Sequence, residues 1–294
     1  AFGGVDAIPL CIRSKDTDEI VRTIELLAGS FGGINLEDIS APRCFEIEKR
    51  LKKDLDIPVF HDDQHGTAVV TAAALLNALK IVGKKIEDIN VVINGAGAAG
   101  LAIAKFLLRF GVKDVIVCDS KGILCKGDSR LNGAKQEVAE MSNKRRVVGS
   151  LAAAMKGADV FVGVSVANCV SEEMVRSMAE KAIVFACANP TPEISREKAL
   201  AAGAAVVGTG SSEYPNQINN VLVFPGLFRG ALDVRAKDIN MEMMMAAAQG
   251  IASCVSETQL NPDYILPYAY DPKAHEAVAK AVAQAARDTG VARE

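Results

Sequence analysis

The sequence predicts an α/β fold with a doubly wound parallel sheet and a second α/β unit beside it. Strand-like and helix-like segments alternate along most of the chain, as they do in proteins with parallel sheets. A glycine-rich turn at 94–100 directly follows an apolar strand, which is typical of a Rossmann-type nucleotide domain. We therefore assign residues 63–219 to a dinucleotide-binding domain, and residues 1–62 and 220–294 together to a second domain.

Three pairs of a strand and a helix open the chain. Apolar runs predict strands at 5–12, 33–36 and 57–60. Apolar residues at helical spacing predict helices at 17–28, 41–55 and 66–82. Ser40 and Pro42 mark the start of the second helix, and Gly83 marks the end of the third.

A denser set of strands follows, and helices close the chain. We predict strands near 89–94, 114–119, 159–165, 182–188 and 204–208. No strand is expected after Asn220, where the pattern predicts helices near 226–233, 238–255 and 272–288. His275, on the last of these helices, is expected on a solvated surface.

Composition excludes several classes of protein. The 294-residue chain is 50% hydrophobic and 23% charged, with a net charge of −3, so it lacks the basic excess of nucleic-acid-binding proteins. Its longest uncharged apolar stretch is shorter than the roughly 20 residues that cross a bilayer, and we recognise no leader peptide. The 7 cysteines include no CxxC pair, and we expect reduced thiols in a cytoplasmic protein.

The glycine turn has the spacing of a dinucleotide-binding loop. Gly95 permits the tight turn, Gly97 lets backbone amides approach a pyrophosphate, and Gly100 allows close packing of helix on sheet. Asp119 ends the next strand and would accept bonds from the adenosine ribose hydroxyls. Its charge opposes a 2′-phosphate and so favours NAD over NADP, although Lys121 nearby could reverse that preference.

Polar residues follow the later strands, at the edge where open α/β sheets bind ligands. Asparagines recur there, at position 189 after one strand and at 216, 219 and 220 after another. Amide side chains donate and accept hydrogen bonds, which suits a carboxylate substrate or a nicotinamide. The predicted cofactor-binding residues are Gly95, Gly97, Ala98, Gly100, Asp119, Ser165 and Asn189.

Four acidic residues close two strands of the N-terminal part. Glu37-Asp38 follows one strand, and Asp62-Asp63 follows the next. Burying such charges is costly unless they are paired or bound to a metal. One interpretation is a Mg²⁺ or Mn²⁺ site in which Glu37, Asp38 and Asp63 supply carboxylate oxygens and leave positions for substrate oxygens and water.

Two other interpretations of these acids stay open. The His-x-Asp pattern of His61 and Asp63 fits an iron site of two histidines and one carboxylate, for which the distant histidine would be His275. Alternatively, the acids are structural: Asp63 or Thr67 caps the long helix, and Asp62 pairs with a surface base.

Seven motifs occur in order along the chain, namely FGGVDA (2–7), FGGINLEDISAPRCFEIE (31–48), IPVFHDDQHGTA (57–68), NGAGAAG (94–100), FACANPTPEI (185–194), YPNQINNVLVFPG (214–226) and FRGALDVRA (228–236). Together they resemble the motifs of malic enzymes of the bacterial type, over essentially the whole chain. The resemblance implies oxidation of malate at C2 and decarboxylation of the oxaloacetate formed, giving pyruvate, CO₂ and reduced NAD or NADP.

The resemblance also implies roles for individual residues. Asp62 matches the carboxylate that pairs with a catalytic lysine, and Asn189 and Asn220 match side chains that hold malate. The residues that match the ligands of the divalent metal, Mg²⁺ or Mn²⁺, are Glu37, Asp38 and Asp63.

One implication of the resemblance concerns residues that the sequence does not contain. The family's general-base lysine and general-acid tyrosine precede the FGGVDA strand, so we expect a truncated chain that binds metal and NAD but turns malate over slowly. A catalytically impaired NAD-binding fragment or regulatory module, and a metal-dependent oxaloacetate decarboxylase, stay open as alternatives. We expect a homodimer or a higher homo-oligomer with malate as its small-molecule partner, and no nucleic-acid or membrane partner.

Overall fold

Strands and helices alternate along the computed structural model, which describes residues 2–131 and 133–293. The helices are α1 (Thr17–Leu27), α2 (Arg43–Asp54), α3 (Thr67–Val82), α4 (Ala98–Phe110), α5 (Gly133–Met141), α6 (Leu151–Met155), α7 (Glu172–Arg176), α8 (Arg196–Ala201), α9 (Phe224–Asp233), α10 (Met241–Ser253) and α11 (Pro272–Asp288). The strands are β1 (Ile34–Leu36), β2 (Val59–His61), β3 (Asn90–Asn94), β4 (Asp114–Asp119), β5 (Gly122–Ile123), β6 (Val160–Gly163), β7 (Ile183–Ala186) and β8 (Val206–Thr209). A π-helical turn, Asp62–Gly66, leads directly into α3.

The larger sheet has six strands in the order β5-β4-β3-β6-β7-β8. Neighbouring strands are parallel except for β4 and β5. β3 lies between β4 and β6, so the direction in which strands are added to the sheet reverses beside it. Doubly wound sheets bind nucleotides in the crevice at this point. The predicted fold class is confirmed.

Helices cover both faces of this sheet. Val91 and Ile93 of β3 belong to a core shared with α3, α4 and the C-terminal helices, whereas Val92 belongs to a core with α6, α7 and α8. Strands buried on both faces are nearly continuous apolar runs, which is why the sequence pattern located them. The C-terminal helices and α3 thus share one core, although the sequence assigned them to different domains, and that division stays a prediction.

The most apolar helical stretch is a core helix of the fold. The segment Asp62–Val82 is long and apolar enough, by length and composition, to cross a membrane. However, 72% of its apolar window is buried inside the protein, and α3 packs against α4 and α10. No second helix within residues 2–131 and 133–293 meets the same criterion.

The smaller sheet brings the two acidic pairs to one edge. β1 and β2 are parallel, and Leu36 lies opposite His61. Both strands end at these residues, so Glu37 and Asp62 are the next residues at the same edge. α1 and α2 pack on this sheet in a small apolar core of their own.

Two predictions about the terminal segments are wrong. Residues 5–12 form no strand, and Ile8 and Leu10 are 65% and 54% exposed, so this apolar run pairs with no other strand of the described chain. His275 is buried rather than solvated, because α11 packs against both α9 and α10. The other predicted elements all occur, and none of their ends differs from the prediction by more than three residues.

Glu193 connects the ends of two central strands. Its buried carboxylate accepts hydrogen bonds from the Ser165 N–H at 2.9 Å and from the Ala188 N–H at 3.0 Å. These two amides follow β6 and β7, where the chain leaves the sheet. Glu193 therefore fixes the edge at which doubly wound sheets bind ligands.

We expect Glu193→Ala to lower the free energy of unfolding by about 3 kcal/mol, because it leaves two inward-facing N–H groups without their charged acceptor. Urea unfolding followed by circular dichroism measures this change. Glu173→Ala is the matched control, since the Glu173 side chain is 81% exposed, and changes at such sites fall within about 0.5 kcal/mol. Equal stability of the two variants would contradict this structural role of Glu193.

Candidate functional site

The glycine turn lies at the carboxyl end of β3, as predicted. The Gly95 N–H donates to the Cys118 carbonyl oxygen at 2.9 Å, which holds the turn against β4. Gly95 has a φ of +120°, and a Cβ at this position would lie 2.5 Å from the Val164 carbonyl oxygen. The turn therefore requires glycine for both its backbone conformation and its close approach to β6.

Three other predicted cofactor residues surround the start of α4. Gly97 is exposed and precedes the helix, Ala98 is its first residue, and Gly100 is buried within its first turn. The first N–H groups of a helix lack partners within the helix. Because the helix dipole adds a positive field there, this end of α4 is suited to a pyrophosphate.

An open cavity of about 700 Å³ adjoins the glycine turn. Gly95, Asp119 and Ser165, all predicted to bind the cofactor, line it together with Lys121 and Arg130. The Ser165 hydroxyl accepts a hydrogen bond from Asn94 Nδ2 at 2.7 Å. The structure therefore brings residues from three strand ends to a single cavity of a size that suits a small-molecule ligand.

Asp119 ends β4 with its carboxylate partly buried in this cavity. It accepts hydrogen bonds from Lys135 Nζ at 2.7 Å and from the Lys121 backbone N–H at 2.9 Å. Burial raises the pKa of Asp119, but these two bonds outweigh it and hold the pKa below its ordinary value. Lys135 lies on α5, and no motif in the sequence indicated it.

The four acidic residues meet at the edge of the smaller sheet. The Asp38 N–H donates to Asp63 Oδ2 at 2.9 Å and so links the two pairs. Asp38 has a φ of +57°, so the chain turns sharply after Glu37 and the strand has ended, as the sequence predicted. Glu37 and Asp38 are exposed, whereas Asp62 is fully buried. We call Glu37, Asp38, Asp62 and Asp63 the acidic cluster.

Like charges shift the acidity of this cluster. Burial, with repulsion from Glu37 and Asp63, raises the pKa of Asp62 to about 7. Burial also raises the pKa of Glu37, again with repulsion from its acidic neighbours. The His61 ring lowers the pKa of Asp63 against the effect of burial, and the Asp38 N–H assists. Across the described residues, the one basic side chain within ion-pair distance of the cluster is His61, 3.3 Å from Asp63 Oδ2.

Asn220 joins the C-terminal segment to the acidic cluster. Its Nδ2 donates a hydrogen bond to Asp62 Oδ2, although 158 positions separate the two residues in the chain. A Cβ on Gly66 would lie 2.1 Å from Asp62 Oδ1, so glycine at this position lets the carboxylate fold back over the turn. Asp62 Oδ1 itself is buried without a hydrogen-bond partner.

The predicted metal ligands are neighbours but are not assembled into a coordination shell. Among the residues that the structure describes, no three His, Cys, Asp or Glu side chains are gathered closely enough to hold a metal ion. The assignment of Glu37, Asp38 and Asp63 as ligands stays a prediction. Asn189 is exposed after β7, where a Cβ on Gly210 would lie 2.8 Å from its Nδ2, and its assignment as a substrate-binding and cofactor-binding residue also stays a prediction.

The structure disfavours both alternative interpretations of the acids. α3 begins after Gly66 without a side-chain cap, so neither Asp63 nor Thr67 caps it. His275 lies on α11 and stacks on Phe2, with ring centres 5.1 Å apart, instead of joining His61.

A polar chain behind Asp63 was not found by sequence reasoning. Gln64 Nε2 donates to Glu48 Oε2 at 3.0 Å and lies 2.6 Å from His61 Nδ1. His65 Nε2 lies 2.6 Å from Glu48 Oε1. The motif at 57–68 contains three of these residues, but Glu48, the partner of Gln64 and His65, is on α2. The residue spacing gives no signal for that contact.

Comparison with known families matches both parts of the chain. The family described as "Malic enzyme, NAD binding domain" matches residues 64–287. The family described as "Malic enzyme, N-terminal domain" matches residues 12–52. These ranges include the glycine turn and the first acidic pair.

Relatives and solved structures are similar over nearly the whole chain. The bifunctional malic/malolactic enzyme of Bacillus subtilis (strain 168) is 58% identical over 100% of this chain, which spans 72% of that protein. The NAD-dependent malic enzyme of Geobacillus stearothermophilus is 57% identical over 100% of this chain, which spans 61% of it. The crystal structure of the NAD-dependent malic enzyme of Thermotoga maritima is 48% identical, with a TM-score of 0.92 over 96% of this chain and 74% of that one. The chain belongs to the malic enzyme family.

Proposed function

We propose that the protein oxidises malate to pyruvate and CO₂, transfers the hydride to NAD, and uses Mg²⁺ or Mn²⁺. The observation that carries this proposal is the position of the acidic cluster beside the cofactor loop. The turn Asp62–Gly66 packs against α4, which follows the glycine turn, and against the segment Asn220–Leu222. Hydride transfer requires the nicotinamide to lie next to C2 of malate, and this junction supports such an arrangement.

The donor chemistry of the acidic cluster suits a divalent cation, although its side chains are not arranged as a coordination shell. Asp62 Oδ1 is buried without a partner, and the charges of Glu37 and Asp63 crowd the same carboxylate. Carboxylate oxygens are the donors that Mg²⁺ and Mn²⁺ prefer, so Glu37, Asp38 and Asp63 would hold the ion. When bound, the ion would supply Lewis acidity toward the C2 hydroxyl of malate and toward the charge that develops as CO₂ leaves.

Two amides would orient malate. Asn220 is partly exposed beside Asp62, and Asn189 is exposed at the end of β7. Amide N–H groups donate to a substrate carboxylate without adding charge. We propose that malate competes with Asp62 for the Asn220 amide, which would free the Asp62 carboxylate to accept a bond from a cationic catalytic group.

The cavity beside the glycine turn supports NAD as the cofactor. Asp119 ends β4 and lines this cavity; an acid at this place in the fold would accept bonds from the adenosine ribose hydroxyls, and a 2′-phosphate would meet its charge. Ser165 lines the same cavity, and Gly97 and Ala98 lie where helix α4 begins.

We also propose a two-domain, cytoplasmic homo-oligomer, either a homodimer or a larger assembly. The separate small sheet of β1 and β2 supports the assignment of residues 1–62 and 220–294 to a domain of their own. Ile8, Leu10 and Leu26 are more than half exposed, and a contiguous apolar surface built from such side chains would suit a subunit contact.

The first test of this function is the metal dependence of NAD reduction with malate. The ratio of the rates with and without Mn²⁺ is the readout, since it does not depend on absolute turnover. We expect Asp63→Asn to lower this ratio by about 100-fold, because loss of a metal ligand removes Lewis-acid stabilisation worth several kcal/mol. Asp18→Asn is the control, since Asp18 is exposed and pairs with Arg50.

Three outcomes of this assay would contradict the proposal. Equal rates of NAD reduction with and without Mn²⁺ would show that the reaction does not depend on the metal. Release of pyruvate from oxaloacetate without any NADH from malate would favour a decarboxylase instead. Tight binding of NAD and Mn²⁺ with no reaction on malate or oxaloacetate would favour a binding module.

The second test concerns the choice between NAD and NADP. We expect Asp119→Ser to raise the affinity for NADPH relative to NADH by about tenfold, because it removes one negative charge facing the 2′-phosphate and leaves Lys121 and Lys135 in place. Titration by the fluorescence of the reduced cofactors measures both affinities. Asp263→Ser, at an exposed acid paired with Arg196, should leave the ratio unchanged. An unchanged ratio in Asp119→Ser would contradict the assigned role of Asp119.

A further inference from the structure

His61 is a buried histidine with one unsatisfied ring nitrogen. It is the last residue of β2 and is 0% exposed. Its Nε2 lies 3.3 Å from Asp63 Oδ2 without completing a hydrogen bond, and it has no other partner. Because a buried polar atom without a partner is costly, the position of this nitrogen against a carboxylate requires an explanation.

The bonds of Gln64 determine which nitrogen of His61 carries the proton. The amide nitrogen of Gln64 has two hydrogens. One is donated to Glu48 Oε2 at 3.0 Å, and the other is directed at His61 Nδ1, 2.6 Å away. Nδ1 must therefore accept, so the neutral ring carries its proton on Nε2, on the side that faces Asp63.

Glu48 sets the direction of this chain of bonds. It lies on α2 and is 8% exposed. An ionised carboxylate only accepts hydrogen bonds, so Gln64 must turn its NH₂ group, and not its carbonyl oxygen, toward Glu48. Burial raises the pKa of Glu48, but the bond and the charge from His65 outweigh it, and the pKa lies below its ordinary value.

We propose that His61 is a positioning residue: when a divalent cation is bound, its Nε2–H, now 3.3 Å from Asp63 Oδ2, would donate to that oxygen and leave the other carboxylate oxygen for the ion. This inference rests on the metal site of the proposed function. The Asp38 N–H already donates to the same Oδ2 at 2.9 Å, so a second donor on this oxygen fixes the plane of the carboxylate. Partners that orient a metal-binding side chain in this way change metal affinity by about 10–100-fold.

Binding of Mn²⁺, followed by the electron paramagnetic resonance signal of the free ion, tests the proposal without measuring activity. His61→Phe keeps the ring and removes both nitrogens, and we expect it to weaken Mn²⁺ binding by about 10–100-fold. His61→Gln keeps a donor close to the position of Nε2, so its affinity should stay near the wild-type value. Gln64→Leu leaves the imidazole of His61 in place but removes the hydrogen bond that fixes its proton on Nε2. We therefore expect its loss of Mn²⁺ affinity to lie between those of His61→Gln and His61→Phe.

Two controls separate a positioning role from a merely structural one. His275→Phe is the matched variant, because His275 is also a buried histidine with an unpartnered ring nitrogen but lies on α11, outside the acidic cluster. It should bind Mn²⁺ as the wild type does. Affinity for NADH, measured by fluorescence, should be unchanged in all four variants, and the thermal unfolding midpoint reports folding. If His61→Phe does not fold, Gln64→Leu and His61→Gln carry the test.

Three results would overturn the inference. The first is wild-type Mn²⁺ affinity in folded His61→Phe, or in Gln64→Leu where His61→Phe does not fold. The second is an equal loss in His61→Gln and His61→Phe, which would indicate a packing role for the ring. The third is failure of the wild-type protein to bind Mn²⁺ while it still binds NADH, which would remove the proposed metal site and the inference together.

Discussion

The parallel register of β1 and β2 is the constraint on which the candidate site depends. Because Leu36 lies opposite His61, the acids that follow the two strands emerge at the same edge. A slip by one residue would turn every side chain of a strand to the opposite face and separate the two acidic pairs. The register therefore imposes electrostatic repulsion on the fold. Burial raises the pKa of Asp62 to about 7, and this repulsion from Glu37 and Asp63 adds to the effect of burial.

Much of this arrangement is readable in the sequence because it depends on local patterns. The spacing at 94–100 requires a tight turn between a strand and a helix, and the structure has that turn between β3 and α4. Asp119 ends β4, as its place after an apolar run predicts. The meeting of Glu37-Asp38 with Asp62-Asp63 also follows from the sequence, since parallel neighbouring strands end at a common edge.

Contacts between distant polar groups could not be read in this way. The bond from Asn220 to Asp62 spans 158 positions, and Lys135 reaches Asp119 from a separate helix. Hydrophobic periodicity shows which face of an element is buried, but it does not show which polar groups meet across that face. The same limit explains why the prediction of a strand at 5–12 is wrong. An apolar run forms a strand only where it can pair with the edge of a neighbouring strand.

The partners of the acidic cluster bear on the proposed chemistry. Around Asp62 and Asp63 these partners are an amide, an imidazole and a backbone N–H, and no lysine or arginine in the described ranges pairs with them. Donors of this kind fix carboxylates in place without cancelling their charge, so a negative field remains at the edge of the small sheet. The N-terminus of α4 has the opposite field, since the helix dipole is positive there. A cation and a dinucleotide phosphate would therefore bind at neighbouring but separate places, as a metal-assisted hydride transfer requires.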